Sequence, residues 1–171
     1  DAIAMGGGVG ISLYGSHRIA GESLSFAMPE VGIGFFPDVG GTYFLPRLPG
    51  KFGTYLALTG SPIGLADAMA LGIMDAHVPA ARFDTLVARL SEGLNVDEAI
   101  AAEAAAVPEP VLLRQKHFIE DCFAPAIVAA ILEKVDQASQ AGSAFAAQTF
   151  ETIRSRSPTS LAIALLQMQL G

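Results

Sequence analysis

Three consecutive glycines, Gly6 to Gly8, separate a short apolar segment from a second apolar segment that begins at Val9. Glycine has no Cβ, so it adopts backbone angles that other residues avoid and lets another group approach the main chain closely. We therefore expect a tight turn between a buried strand at residues 1–4 and a buried helix at residues 9–14. The first N–H groups of such a helix have no partner inside the helix and point outward at its positive end.

Free N–H groups at a turn of this kind can bind a phosphate or an oxyanion that develops during a reaction. The alternative is a glycine-rich turn that only lets a helix and a strand pack closely, and the glycines alone favour this alternative. The dinucleotide motif G-x-G-x-x-G is not met, because Ile11 or Leu13 stands at its last position. The Gly-Lys-Ser/Thr sequence of a phosphate-binding loop is also missing.

Two carboxylates, Glu30 and Asp38, lie in an apolar and glycine-rich stretch. Carboxylates are rarely buried unless they are paired, so both need a reason to be there. Pro29 prevents a helix from continuing through this point, so Glu30 should project from a loop at the end of a strand, where catalytic groups are often found. Asp38 precedes a predicted helix at residues 41–48, and its alternative role is a helix N-cap worth about 1 kcal/mol.

These segments together resemble the crotonase (enoyl-CoA hydratase/isomerase) superfamily over essentially all 171 residues, most weakly between residues 75 and 110. The resemblance lies in the glycine turn and in Met28-Pro29-Glu30, Gly40-Gly41 and Leu58-Thr59-Gly60. It implies an α/β fold, with part of a crotonase-like ββα superhelical core followed by an α-helical C-terminal region. It also implies that the N–H of Gly7 belongs to an oxyanion hole for an acyl-CoA thioester.

Hydratases of this superfamily carry a second glutamate two residues after the glycine turn, where this chain has Gly10. Residues 34–41, 43–48 and 157–161 instead resemble the subfamily of 3-hydroxyisobutyryl-CoA hydrolases, which belong to valine degradation. That resemblance implies that Glu30 and Asp38 are the catalytic pair.

Several alternatives stay open at this point. Glu30 would act either as a general base or as the nucleophile. Another possibility is an enoyl-CoA isomerase that uses Glu30 alone, with Asp38 as a cap. The last is a catalytically silent CoA-binding homologue.

The composition of the chain argues against several other classes of protein. Hydrophobic residues make up 51% of the chain and charged residues 16%, which suits a large core and buried contacts with partner subunits. The longest apolar run, at residues 123–132, is too short to span a bilayer, so we expect no membrane association. A net charge of −7 argues against nucleic acid as a partner. The single cysteine, Cys122, rules out an internal disulfide and favours a buried inert thiol, and no metal site is expected.

The expected partner is an acyl-CoA substrate, and no cofactor is expected because CoA is part of that substrate. A homo-oligomer stays open, since crotonases commonly assemble as trimers. With no visible signal peptide, we expect a cytoplasmic protein, or one of the mitochondrial matrix if the source is eukaryotic. The chain starts without methionine in a predicted strand, so we interpret it as an internal fragment whose upstream part supplies the second oxyanion N–H.

We place a boundary between a crotonase-like core at residues 1–94 and a helical region at residues 95–171. The strand–helix alternation of the first part is typical of an α/β layer fold. Residues 31–36 suit either a strand or an irregular wall of the pocket. Apolar periodicity and capping residues predict the helices, which we place at residues 54–59, 65–71, 83–90, 95–106, 111–121, 126–138, 143–154 and from Pro158 onward.

Overall fold

The computed structural model describes residues 2–171, so the predicted strand position at Asp1 lies outside the described residues. The described residues form four short strands and ten α-helices. The strands are β1 (Ile3–Met5), β2 (Ile19–Ala20), β3 (Ser25–Ala27) and β4 (Ala76–His77). The helices are α1 (Gly7–Ser12), α2 (Gly41–Phe44), α3 (Phe52–Thr59), α4 (Leu65–Ala70), α5 (Phe83–Ser91), α6 (Val96–Glu103), α7 (Lys116–Cys122), α8 (Val128–Gln140), α9 (Ala144–Arg154) and α10 (Pro158–Leu170). Short 3₁₀ helices lie at Glu30–Ile33, Leu45–Arg47, Ala80–Arg82 and Leu112–Gln115.

The strands form two separate parallel pairs. β1 pairs with β3, and the register joins Met5 to Ala27 at the carboxyl ends of both strands. β2 pairs with β4, and Ile19 lies beside Ala76. Parallel neighbours require a crossover connection, and the intervening helices provide it.

Helix α3 lies at the centre of the main core, and all eight of its residues are buried. The helix ends at Gly60, whose left-handed conformation (φ 64°) is typical of a helix C-cap. Gly53 on α3 lies directly against the preceding 3₁₀ helix, because a Cβ at Gly53 would overlap the carbonyl oxygen of Leu45. Helix α10 packs on the same central helix and buries Leu161, Ala164 and Leu165.

Side-chain caps begin three of the predicted helices. Asn95 accepts hydrogen bonds from the N–H groups of Asp97 and Glu98, which starts α6. Ser143 caps α9 and Ser157 caps α10, and Pro158 takes the first helical position as predicted. Cys122 is a free and buried thiol, also as predicted.

The boundary at residues 94 and 95 stays a prediction. A small second cluster of buried residues joins α5 to α6 across it, formed by Val78, Leu86 and Ala99. The helical residues that follow the boundary therefore contact the core directly, beginning with α6.

Three local expectations were wrong. Helix α1 is not buried as a whole, because Ile11 is 88% exposed although Val9 is fully buried. The predicted helix at residues 41–48 divides into α2 and a 3₁₀ helix, since Pro46 has no N–H to continue the α-helical pattern. Of the two alternatives for residues 31–36, the strand does not form, because residues 30–33 are a 3₁₀ helix. Helix α6 ends at Glu103, before the predicted residue 106.

Among residues 2–171, no helix is long and apolar enough to cross a membrane.

We expect Gly53→Ala to lower the free energy of unfolding by about 3 kcal/mol, because the new Cβ would lie on the Leu45 carbonyl oxygen and the two segments must separate. Urea denaturation measures this change. The control is Gly64→Ala, where a Cβ would meet only the carbonyl oxygen of Leu24 at 3.9 Å. Equal stabilities of the two variants would contradict the prediction.

Candidate active site

The pairing of β1 with β3 brings the glycine turn beside Glu30. Both strands are parallel, so the turn after Met5 and the segment after Ala27 leave the sheet at the same edge. Gly6 forms the turn with a positive φ of 51°, and a Cβ on Gly6 would lie 4.0 Å from Oε1 of Glu30. The two motifs that lie far apart in the sequence therefore meet in one place.

Gly7 and Gly8 are exposed, and a Cβ on either would meet nothing within 4 Å among the described residues. Close packing therefore does not explain why these two positions lack a side chain. Both residues occupy the first turn of α1, where main-chain N–H groups have no partner inside the helix. The N–H of Gly7 is accordingly free to meet an incoming group from the open side.

Glu30 is the buried carboxylate of the site, with only 6% of the residue exposed. Its Oε2 atom has no hydrogen-bond partner among the described residues. Burial is the main cause that raises the pKa of Glu30 above its ordinary value, and the negative charge of Asp38 raises it further. A hydrogen bond with the backbone N–H of Glu30 itself lowers the pKa and offsets part of this rise. A carboxyl group of this kind is suited to take up and release a proton.

Asp38 is exposed, and it lies close enough to Glu30 for its charge to act on that group. Its backbone oxygen accepts a 2.6 Å hydrogen bond from the N–H of Gly41. The N-cap of α2 is Gly40, and no side-chain hydrogen bond caps this helix. The alternative in which Asp38 serves as the helix cap is therefore wrong.

The residue after Asp38 has an unusual backbone. Val39 has a φ of 42°, and it is the one non-glycine residue with a positive φ within the described part of the chain. A β-branched residue rarely adopts this conformation, which costs about 1–3 kcal/mol and persists only where the surroundings enforce it. The strain lies directly beside a candidate catalytic residue.

Val39 occupies the space in front of Gly10 on α1. A Cβ at Gly10 would lie 2.8 Å from the Cβ of Val39, which is closer than real carbon atoms approach. Position 10 therefore accepts no side chain while Val39 keeps its place. This contact explains in physical terms why the chain has glycine at position 10.

Two more side chains hold the same turn, and sequence reasoning missed both. The hydroxyl of Tyr14 donates a 2.8 Å hydrogen bond to the carbonyl of Gly40. Nε2 of Gln167 on α10 donates to the carbonyl of Pro37 over 3.3 Å, and Oε1 of Gln167 is buried with no partner among the described residues. Neither residue has a local sequence signal, because each contact joins segments that are distant in the chain.

Arg156 supports the 3₁₀ helix that carries Glu30. Its Nε and Nη2 atoms both donate to the carbonyl of Thr59, at 3.1 and 2.8 Å. A Cβ on Gly32 would lie 3.0 Å from Nη1 of the same guanidinium. The segment between α9 and α10 thus lies against the 3₁₀ helix that carries Glu30 and against the C-terminal end of α3.

A cavity of about 320 Å³ lies elsewhere, and its walls include Tyr55, Asp67, Phe145 and Thr149. Glu30 and Asp38 do not line it, so this cavity is separate from the candidate site. No group of three or more potential metal ligands occurs among residues 2–171.

A sequence model described as enoyl-CoA hydratase/isomerase matches residues 1–171. The chain belongs to this family. Its described residues are mostly helical with few strands, which fits part of an α/β crotonase core followed by a helical region.

The curated relatives of this chain carry the name of one enzyme within the family. The chain is 40% identical over 181 residues to the mitochondrial 3-hydroxyisobutyryl-CoA hydrolase of Xenopus tropicalis, and the alignment covers 100% of this chain and 46% of the relative. It is 37% identical over 179 residues to 3-hydroxyisobutyryl-CoA hydrolase 1 of Arabidopsis thaliana, with 100% and 47% covered. The human mitochondrial 3-hydroxyisobutyryl-CoA hydrolase is 38% identical over 179 residues, with 99% and 46% covered. The chain spans about half the length of these relatives.

Solved structures with the same fold carry other names. A carnitinyl-CoA dehydratase from Mycobacterium thermoresistibile matches with a TM-score of 0.90 at 38% identity, covering 97% of this chain and 48% of that one. An enoyl-CoA hydratase from Rhodobacter sphaeroides matches with a TM-score of 0.87 at 37% identity, covering 98% and 47%. The overall fold of the family therefore does not by itself select the reaction.

We expect Glu30→Gln to raise the free energy of unfolding at neutral and higher pH. The folded protein raises the pKa of Glu30, so the unfolded chain loses this proton first as the pH rises above the ordinary glutamate range. Stability is therefore lost as the pH rises through the pKa of the folded state, and glutamine, which does not ionise, avoids that loss. Urea denaturation between pH 4 and pH 9 should show the two proteins converging at the acidic end.

Glu103→Gln is the matched control for burial. Glu103 is equally buried, but its Oε1 accepts a 2.7 Å hydrogen bond from Nε of Arg89. Removal of this charge should lower the free energy of unfolding by about 1 kcal/mol, since hydrogen bonds to charged groups are stronger than neutral ones. A loss of stability in Glu30→Gln like that in the control would contradict the prediction.

Proposed function

We propose that the protein containing this chain hydrolyses a 3-hydroxyacyl-CoA thioester, with 3-hydroxyisobutyryl-CoA as the substrate, to the free hydroxy acid and CoA. The observation that carries the proposal is the carboxylate pair beside the glycine turn. Oε2 of the buried Glu30 has no hydrogen-bond partner in the described part of the chain, and the charge of Asp38 raises the pKa of Glu30. The names of the curated relatives support the same substrate.

The glycine turn would stabilise the charge that develops in the reaction. The carbonyl oxygen of the thioester becomes negative when its carbon is attacked, and the N–H of Gly7 would donate to it. Loss of one such donor typically costs about 3 kcal/mol, or on the order of 100-fold in rate. The exposed position of Gly7 supports this role, because a substrate oxygen has room to approach it.

Glu30 would supply the carboxylate chemistry by one of two routes. As a general base it takes a proton from water, the water oxygen bonds to the carbonyl carbon, and the carbon–sulfur bond breaks with the thiolate taking up the proton. As a nucleophile it bonds to the carbonyl carbon itself, releases CoA and leaves a mixed anhydride that water then hydrolyses. In both routes Asp38 holds either the attacking water or the 3-hydroxyl of the substrate.

The alternatives within the family are less well supported. An isomerase that uses Glu30 alone would leave Asp38 as a helix cap, whereas α2 is capped at Gly40. A hydratase of the two-glutamate type would need a carboxylate at position 10, where Val39 leaves no room for a side chain. A silent CoA-binding homologue would have no use for an unpartnered buried carboxyl group, which costs stability.

Location and assembly stay expectations. The curated animal relatives are named as mitochondrial enzymes, in keeping with a matrix location if the source is eukaryotic. Apolar side chains that are exposed in the isolated chain, among them Ile11 and Ile33, are suited to contacts in a longer polypeptide or a homo-oligomer.

We expect Glu30→Gln and Asp38→Asn to lower kcat for release of free thiol from 3-hydroxyisobutyryl-CoA by about 10²- to 10⁴-fold, the usual contribution of a positioned acid–base group. The assay uses the natural polypeptide that carries this sequence. Crotonyl-CoA and a 3-enoyl-CoA are assayed as comparison substrates. Thiol release that survives Glu30→Gln would refute the assignment, and movement of a double bond without thiol release would identify an isomerase.

The pH profile tests the pairing of the two carboxylates. Glu30 must be ionised to act, so kcat/KM should fall as the pH drops through its raised pKa. Asp38→Asn removes a charge that raises the pKa of Glu30, so the residual activity of this variant should extend to lower pH. An acidic limb at the same pH in both proteins would show that the two groups do not interact.

A further inference from the structure

We propose that Val39 is a positioning residue that sets the direction of the Asp38 carboxylate, and that Gly10 is required because it leaves the space that Val39 fills. This inference rests on the proposed function. It concerns two apolar residues that take no part in the chemistry themselves.

The backbone shows that Val39 is held in place by its surroundings. Val39 has a left-handed conformation (φ 42°) and is followed by Gly40 with a φ of 88°. Valine does not choose this conformation in a free chain, because its branched Cβ crowds the backbone. Two successive left-handed residues turn the chain sharply directly after Asp38, so a relaxation of Val39 would redirect the preceding peptide.

The contact with Gly10 helps to hold Val39 in this conformation. A Cβ at Gly10 would lie 2.8, 3.3 and 3.5 Å from Cβ, Cγ1 and Cγ2 of Val39, so the whole isopropyl group packs over this glycine. Gly10 lies on α1, the same helix that begins with Gly7. One contact thereby relates the Asp38 turn to the candidate oxyanion-hole glycine.

Contacts on both sides of Val39 complete the support. Tyr14 donates its hydroxyl hydrogen to the carbonyl of Gly40, and Gln167 donates to the carbonyl of Pro37. The main chain is therefore held before and after Asp38, while the Asp38 side chain stays exposed for a substrate group.

The inference takes Asp38 as the residue that holds the 3-hydroxyl of the substrate, so a displaced Asp38 should lose its selectivity for that hydroxyl. An Asp38→Asn variant that keeps this selectivity would refute the inference. The readout is the ratio of kcat/KM for 3-hydroxyisobutyryl-CoA to kcat/KM for isobutyryl-CoA, which differ only in that hydroxyl. General damage to the fold lowers both values and leaves the ratio unchanged. Loss of position by about 1 Å typically costs on the order of 100-fold.

The experiment compares Gly10→Ala, Val39→Gly and the double variant in the natural polypeptide, with Asp38→Asn as the reference. Each single variant should lower the ratio on the order of 100-fold, toward the value for Asp38→Asn. The double variant should be no worse than Val39→Gly, because a Cβ at position 10 no longer meets the valine side chain. Gly64→Ala is the control, since a Cβ there makes only an ordinary contact with Leu24.

The outcomes separate this inference from the proposed function. Wild-type protein that releases no thiol refutes the proposed function. If Asp38→Asn lowers the ratio while Gly10→Ala and Val39→Gly keep it, the positioning role is refuted although the function stands. Losses that add in the double variant would also refute it, because they would show that the two residues act independently. Glycine at position 39 adopts the left-handed conformation without strain, so Val39→Gly should fold. This variant serves as the test if Gly10→Ala fails to fold.

Discussion

The parallel pairing of β1 with β3 determines where the candidate functional groups of this chain lie. Both strands end at the same edge of the sheet, so the glycine turn and the segment that carries Glu30 leave it side by side. Ligand sites of open parallel sheets commonly form at this edge for the same reason. The free N–H of Gly7 and the buried carboxyl group of Glu30 would lie apart without this register.

The turn that carries Asp38 is built around a second constraint, the absence of a side chain at position 10. Val39 has a strained conformation, and its side chain fills the space in front of Gly10. A side chain at position 10 and the present placement of the Val39 side chain exclude each other in this geometry.

The candidate site lowers the stability of the folded chain. Glu30 is buried, and its Oε2 has no hydrogen-bond partner within residues 2–171. Val39 has a strained backbone, and both features lower stability. Packing elsewhere offsets this loss, chiefly around α3, whose residues are all buried. Arg156 adds a contact from the C-terminal helices to the carbonyl of Thr59. The helical region thus contacts the end of the central helix α3.

Local signals in the sequence predicted the helix starts at Asn95 and Ser157 and the helix end at Gly60, because each depends on hydrogen bonds or backbone angles within a few residues. Apolar pattern alone failed for α1, where Ile11 is exposed. The apolar character of a side chain does not by itself determine whether another part of the protein covers it.

The sequence by itself determined the family, the candidate residues Glu30, Asp38 and Gly7, and most of the helices. Only the tertiary structure decided that Asp38 caps no helix, that Val39 fills the space before Gly10, and that Glu30 is buried beside the charge of Asp38. Motifs and caps are local in the chain, whereas these contacts join segments whose distance is set by strand register and packing. A contact of that kind has no signal in the residues that make it until the fold brings them together.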